Sequence, residues 1–159
     1  MNNRGRKPNR ERGGAGAPFD LKRARIDAAP HPRYTPRVKK VVIVDDDDDM
    51  RGFMALLLGG RYEVSTAQNG ALGLDLVREV RPDLLVLDLL MPVMHGFEVC
   101  QRLRADPELK HTKILISSSK SYKHDVRTAV EETGADNYIV KPFKVAEFNR
   151  IVDEMAGGA

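Results

Sequence analysis

The chain has 159 residues, 42% hydrophobic and 31% charged, which suffices for one domain with its own core. No apolar run approaches the roughly 18 residues that span a bilayer, no apolar signal core follows the basic N-terminus, and a single cysteine, Cys100, excludes an intrachain disulfide, so no membrane insertion and a cytoplasmic location are expected. The net charge of +3 conceals two parts, because residues 1–40 carry 12 Lys/Arg against 3 Asp/Glu while residues 41–159 carry 14 against 20, which leaves the folded part acidic.

Residues 1–37 are dominated by Arg, Gly, Pro and Asn and hold few large apolar residues. Burial there would not offset the entropy of ordering, so a disordered basic arm is expected. Residues 19–26 have the composition of a two-turn basic helix that forms on a partner. The arm reads either as a docking or polyanion-binding segment or as a solvated tail. No aromatic interleaving suggests base stacking, so nucleic acid is not an expected partner outside this arm.

Order is expected from Val38. The β-branched run Val41-Val42-Ile43-Val44 predicts a buried strand, followed by five aspartates, Asp45 to Asp49. Asp48 or Asp49 is the expected cap of a helix over 50–58, with Phe53, Met54, Leu57 and Leu58 as its apolar face and Gly59-Gly60 as its end. Residues 62–67 read as strand two. Asn69 is the expected cap of helix two, whose stripe is Leu72, Leu76, Val77 and Val80.

Residues 84–88, Leu-Leu-Val-Leu-Asp, are apolar on both faces and end in one carboxylate, as a central parallel strand does. Helix three is expected over 95–105, with Phe97, Val99, Cys100 and Leu103 facing inward until Asp106-Pro107 breaks it. Strand four is expected over 114–118, helix four over 124–133 closed by Gly134, strand five over 137–140, and helix five over 145–155. Five strands alternating with five helices through short connections predict a doubly wound five-stranded parallel α/β sheet. The flavodoxin-like (βα)5 order 2-1-3-4-5 fits best.

In that order polar groups converge at one sheet edge: Asp45-Asp46 after strand one, Asp88 after strand three, Ser117-Ser118 on strand four and Lys141 on strand five. Three carboxylates at one edge repel and call for a cation. A hard divalent ion such as Mg²⁺ takes few protein oxygens and keeps waters that a phosphoryl oxygen can replace. Lys141 and a serine hydroxyl would neutralise the remaining phosphoryl oxygens. A carboxylate can be the nucleophile, so the expected reaction is phosphoryl transfer to Asp88.

The segments Val42-Ile43-Val44-Asp45-Asp46, Leu87-Asp88-Leu89-Leu90-Met91-Pro92, Gly96-Phe97-Glu98-Val99, Gly134-Ala135-Asp136-Asn137-Tyr138 and Lys141-Pro142-Phe143, in this order and spacing, resemble the receiver domain of two-component response regulators. The resemblance covers residues 38–156, the expected receiver domain. It implies that Asp88 is the phospho-acceptor and that Asp45 and Asp46 are the acidic pair. Asp46 and Asp88 would touch Mg²⁺ (or Mn²⁺) directly, with the backbone carbonyl of Leu90 as a further ligand. It implies that Lys141 binds the phosphoryl, on a cis peptide to Pro142, with Pro92 and Gly96 as structural turns. Ser118 resembles the switch hydroxyl and Tyr138 the switch aromatic. Ser117, which continues the apolar run, and Ser119, counted back from Gly134, remain alternatives for that hydroxyl. The implied donor is a histidine kinase or histidine phosphotransfer protein, and the domain catalyses its own phosphorylation and dephosphorylation without being a conventional enzyme.

Several positions depart from the family pattern. The acidic run is longer, His95 replaces a common Asp, and Leu90 is apolar where the residue helps set phosphoryl lifetime. The chain stops soon after helix five, so a single-domain regulator with no output domain is expected. Its output would be an unidentified protein bound at the face of helix four, strand five and helix five. Two alternatives are a constitutive scaffold or localisation module acting through the basic arm, and a phosphoryl relay or sink. Cys100 reads as a packing residue, the four histidines lack ligand spacing, and neither an EF-hand nor a P-loop is present.

Overall fold

The computed structural model describes residues 36–119 and 126–157. The basic arm through residue 35, its 19–26 segment, residues 120–125 with the expected start of helix four, and residues 158–159 lie outside the described residues.

Five strands and five helices alternate: β1 Lys40–Val44, α1 Asp48–Leu58, β2 Glu63–Ala67, α2 Gly70–Val80, β3 Leu84–Leu87, α3 Gly96–Ala105, β4 Lys113–Ser119, α4 Val126–Thr133, β5 Asn137–Lys141 and α5 Val145–Ala156. The sheet is parallel throughout, in the order β2-β1-β3-β4-β5. All four β3 residues are buried, as expected of a strand covered on both faces.

The sheet divides the core into two layers. Val41, Ile43, Leu84, Val86, Leu115 and Ile139 pack against Met54 and Leu58 of α1 and Phe148, Ile151 and Val152 of α5. Val42, Val44, Leu85, Leu87, Ile114, Ile116 and Tyr138 pack against Leu74 and Val77 of α2 and Val99, Cys100 and Leu103 of α3. Phe148 is fully buried and stacks on Phe143, with ring centroids 4.9 Å apart.

Three local expectations need correction. The cap of α1 is Asp47, not Asp48 or Asp49. Its carboxylate accepts from the Met50 amide at 3.0 Å, which lets Asp48 and Asp49 enter the first turn and face the helix dipole. Phe53 and Leu72 are 40% and 48% exposed, so neither belongs to its helix's core stripe. The inward faces run instead through Met54 and Leu58, and through Leu74 and Val77, because only the arc of each helix that rests on the sheet is buried. Asn69 caps α2 as expected, accepting from Leu72 N at 2.9 Å.

At the opposite edge from the aspartates, Asp83 ties the chain's entry to β3. It accepts from Lys40 N and Arg37 Nη2, both at 2.9 Å, and lies 3.4 Å from Lys39 Nζ. Burial pushes the Asp83 carboxyl up. The Lys40 amide, Arg37 and Lys39 outweigh it, and the net shift is downward. A carboxyl lowered in the fold stabilises above its unfolded pKa and loses that contribution as pH falls through the folded value. Asp83→Asn should therefore cost about 1 kcal/mol at pH 7, since a charge-assisted bond is lost and Arg37 is largely exposed. The deficit should vanish in urea titrations run well below pH 3.

Candidate phosphoryl and metal site

Polar side chains gather where β1, β3, β4 and β5 end. The ladder runs one residue beyond the strands, since Asp45 N donates to Ala67 O at 3.2 Å and Asp88 N to Val44 O at 2.9 Å. This holds both carboxylates at one height. Asp45 is fully buried, Asp88 is 8% exposed and Asp46 is exposed. Each of Asp45, Asp46 and Asp88 offers a carboxylate oxygen within 4.8 Å of the others.

Lys141 enters from β5. Its Nζ lies 2.5 Å from Asp45 Oδ2 and 3.6 Å from Asp88 Oδ2. The ammonium offsets part of the negative charge, and the exposed Asp46 leaves the cluster open to solvent on one side. Burial pushes the Asp88 carboxyl up, Asp45 and Asp46 push it further, and Lys141 and the Leu90 amide oppose them; the net direction is upward. The donor set is carboxylate oxygen only, with no imidazole or thiolate, which suits Mg²⁺ or Mn²⁺ over a softer ion.

The loop after Asp88 is held closely. Leu90 N donates to Asp88 Oδ1 at 3.2 Å, Gly96 N donates to Leu89 O at 3.1 Å, and Met94 N donates to Pro92 O at 2.9 Å. A Cβ on Gly96 would lie 2.4 Å from Asp88 O, so only glycine lets α3 begin this close to the Asp88 backbone. The Lys141–Pro142 peptide is cis.

Ser117 and Ser118 are both fully buried, and their hydroxyls have no hydrogen-bond partner among the described residues. Ser119 is exposed. Side chains alternate along a strand, so Ser118 shares the face of Ile116, Tyr138 and Val140, while Ser117 shares that of Leu115 and Ile139.

One residue of the site was missed in the sequence. Arg51 Nη1 donates to Asp45 O at 2.9 Å and Nη2 to Asp48 Oδ1 at 2.5 Å, clamping the aspartate loop. Its spacing of three from Asp48 was the available signal. Cys100 is set apart from this chemistry, since burial pushes its thiol up to about 12 despite Arg104.

This sheet order, with three carboxylates and a lysine at the strand ends, defines a class. Residues 41–153 match the response regulator receiver domain, and the chain belongs to that family. Domains of the family are signalling modules of two-component systems, acting through phosphorylation with histidine kinases and phosphotransfer proteins as partners. Among particular relatives, the chain is 34% identical to the polar-differentiation response regulator DivK of Brucella anthropi over 122 residues, 76% of this chain and 98% of DivK. It is 37% identical to the DNA-binding response regulator MtrA of Mycolicibacterium smegmatis over 110 residues, 69% of this chain but only 46% of MtrA. The chemotaxis protein CheY4 of Vibrio cholerae superposes with a TM-score of 0.69 at 29% identity, covering 75% of this chain and 99% of that one. Among the described residues no helix is long and apolar enough to cross a membrane.

Proposed function

We propose that Asp88 accepts a phosphoryl group from a phosphohistidine donor, a histidine kinase or phosphotransfer protein. One carboxylate oxygen of Asp88 attacks phosphorus, the bond from phosphorus to the donor nitrogen breaks, and that nitrogen keeps the electron pair. Asp45, Asp46, Asp88 and the Leu90 carbonyl would hold Mg²⁺ or Mn²⁺. When bound, the ion supplies positive charge to the phosphoryl oxygens. Lys141 shifts from the carboxylates toward the incoming phosphoryl and neutralises a second oxygen. The observation that carries this reading is the convergence of Asp45, Asp46 and Asp88 within 4.8 Å, with Lys141 on two of them.

Output follows from the other face of the sheet. The buried Ser118 hydroxyl has no partner among the described residues and faces the same side as Tyr138. Phosphorylation draws the Ser118 hydroxyl toward the new oxygens, and Tyr138 turns into the space it leaves. The surface of α4, β5 and α5 changes, and a partner protein reads it. The domain also hydrolyses its own aspartyl phosphate. Residues 38–156 make up this receiver unit and residues 1–37 a basic arm outside it.

Beryllofluoride mimics a phosphoryl on an aspartate. Adding it with Mg²⁺ should shift amide resonances at Ser118, Tyr138 and α4 in the wild type and leave Asp88→Asn unchanged. Shifts that persist in Asp88→Asn sink the acceptor assignment. Wild-type silence while Mg²⁺ still binds favours a scaffold role.

A further inference from the structure

We propose that Arg51 is a positioning residue for Asp46, holding that exposed carboxylate in place for the divalent ion; the inference rests on the metal reading given above. Two of the three carboxylates are held directly. Asp45 and Asp88 extend the sheet ladder through their amides, while Lys141 Nζ and Leu90 N engage their side chains. Asp46 has no such support. It is exposed and makes no hydrogen bond among the described residues.

The place of Asp46 is therefore set by the two peptide groups that flank it. The one after it is held where Asp47 N donates to Asp45 Oδ1 at 3.0 Å. That oxygen belongs to the site itself, on the carboxylate that Lys141 engages. The one before it is held where Arg51 Nη1 donates to Asp45 O at 2.9 Å. Only this hold is independent of the site's own carboxylates.

Arg51 is itself well fixed. It stands on α1, its side chain is 17% exposed, and Nη2 pairs with Asp48 Oδ1 at the start of the helix. A guanidinium offers donors in one rigid plane, so it spans Asp45 and Asp48 together, whereas an ammonium is a single point. Arg51 also walls a cavity of about 440 Å³ with Thr66, Gln68, Asp75 and Glu79, and is the only cation among the described residues lining it. Without the guanidinium, water entering from that cavity would satisfy the Asp45 carbonyl without fixing it.

Charge and position predict opposite signs. Arg51 is a cation close to a cation site, so its charge alone opposes Mg²⁺ and removing it would tighten binding. Loss of position weakens binding. Removing a group that orients a metal ligand typically costs about 10- to 100-fold in affinity, and Arg51 acts through one peptide on one ligand, so the low end applies.

Mg²⁺ titrations of the full chain, run well below its melting temperature, test this. Arg51→Met should weaken Mg²⁺ binding by about 10-fold. Arg51→Lys, which keeps the charge but can make only one of the two bonds, should fall between Arg51→Met and wild type. Without metal, amide relaxation should show a lower order parameter at Asp46 in Arg51→Met and no change at Asp88, a local effect that a general loss of stability would not produce. Arg51→Met binding Mg²⁺ within twofold of wild type, or more tightly, overturns the proposal, as does an Asp46 amide as ordered as in wild type. A wild type that binds no Mg²⁺ removes the metal reading and this inference with it. Wild-type binding with an unaltered Arg51→Met removes this inference alone.

Discussion

Asp88→Asn should make the metal-free protein more stable while abolishing its phosphorylation. Asp88 is 8% exposed, and burial pushes its carboxyl up, with Asp45 and Asp46 adding to the shift. A carboxyl raised in the fold binds more protons folded than unfolded, so stability falls as pH climbs from the unfolded pKa through the folded one. At pH 7 the ionised Asp88 therefore opposes folding. Asparagine keeps the shape and an oxygen for the Leu90 amide, which donates at 3.2 Å, but removes the charge. The expected gain is on the order of 1 kcal/mol, about 4 °C in melting temperature for a domain of this size. The gain should shrink toward zero below the ordinary carboxylate range and should also shrink in excess Mg²⁺, because the cation stabilises only the wild-type carboxylate. Scanning calorimetry at pH 4 and pH 7, with EDTA or Mg²⁺, separates these cases. A variant less stable than wild type in EDTA at pH 7 would mean that Lys141 outweighs burial and the neighbouring aspartates.

Gly96→Ala should damage the same site through packing. The added methyl would meet Asp88 O at 2.4 Å, Leu89 Cα at 2.8 Å and Asp88 C at 3.1 Å. These are backbone atoms, so no side chain can rotate away, and the start of α3 or the loop after Asp88 must move. Forced overpacking of this kind costs about 1–3 kcal/mol. The displacement falls on the Asp88 peptide and on the Gly96–Leu89 bond, so Mg²⁺ affinity should drop with stability. Gly52→Ala is the matched contrast. It sits in α1 with nothing within 4 Å of its added Cβ, and should stabilise by up to about 1 kcal/mol. If both variants melt alike, the contact at Gly96 yields more readily than its backbone partners allow.

Short-range patterns carried most of the fold into the sequence. Alternation of β-branched runs with amphipathic stretches predicted ten elements, a parallel sheet and the order 2-1-3-4-5, all present. The runs are legible because a strand covered on both faces must be apolar throughout, as Leu84 to Leu87 are. Asp45, Asp46, Asp88 and Lys141 were legible because a parallel sheet brings the ends of its strands to one edge. The helix faces were less so. Phe53 and Leu72 match the helical period but point to solvent, since the buried arc depends on how each helix rests on the sheet.

Residue type and spacing alone set which chemistry the chain can hold: acidic oxygens, one lysine and buried-strand serines at a common edge. Tertiary structure alone decided how those groups meet. Three consecutive serines read alike in a sequence, yet Ser117 faces the Asp88 side, Ser118 the Tyr138 side, and Ser119 is exposed. The reason is that side-chain direction reverses at every residue of a strand, so the register with β3 and β5, built from contacts between distant segments, assigns each serine its neighbours. Arg51 on α1 is the same case, since only the folded turn before the helix brings the Asp45 carbonyl to its guanidinium.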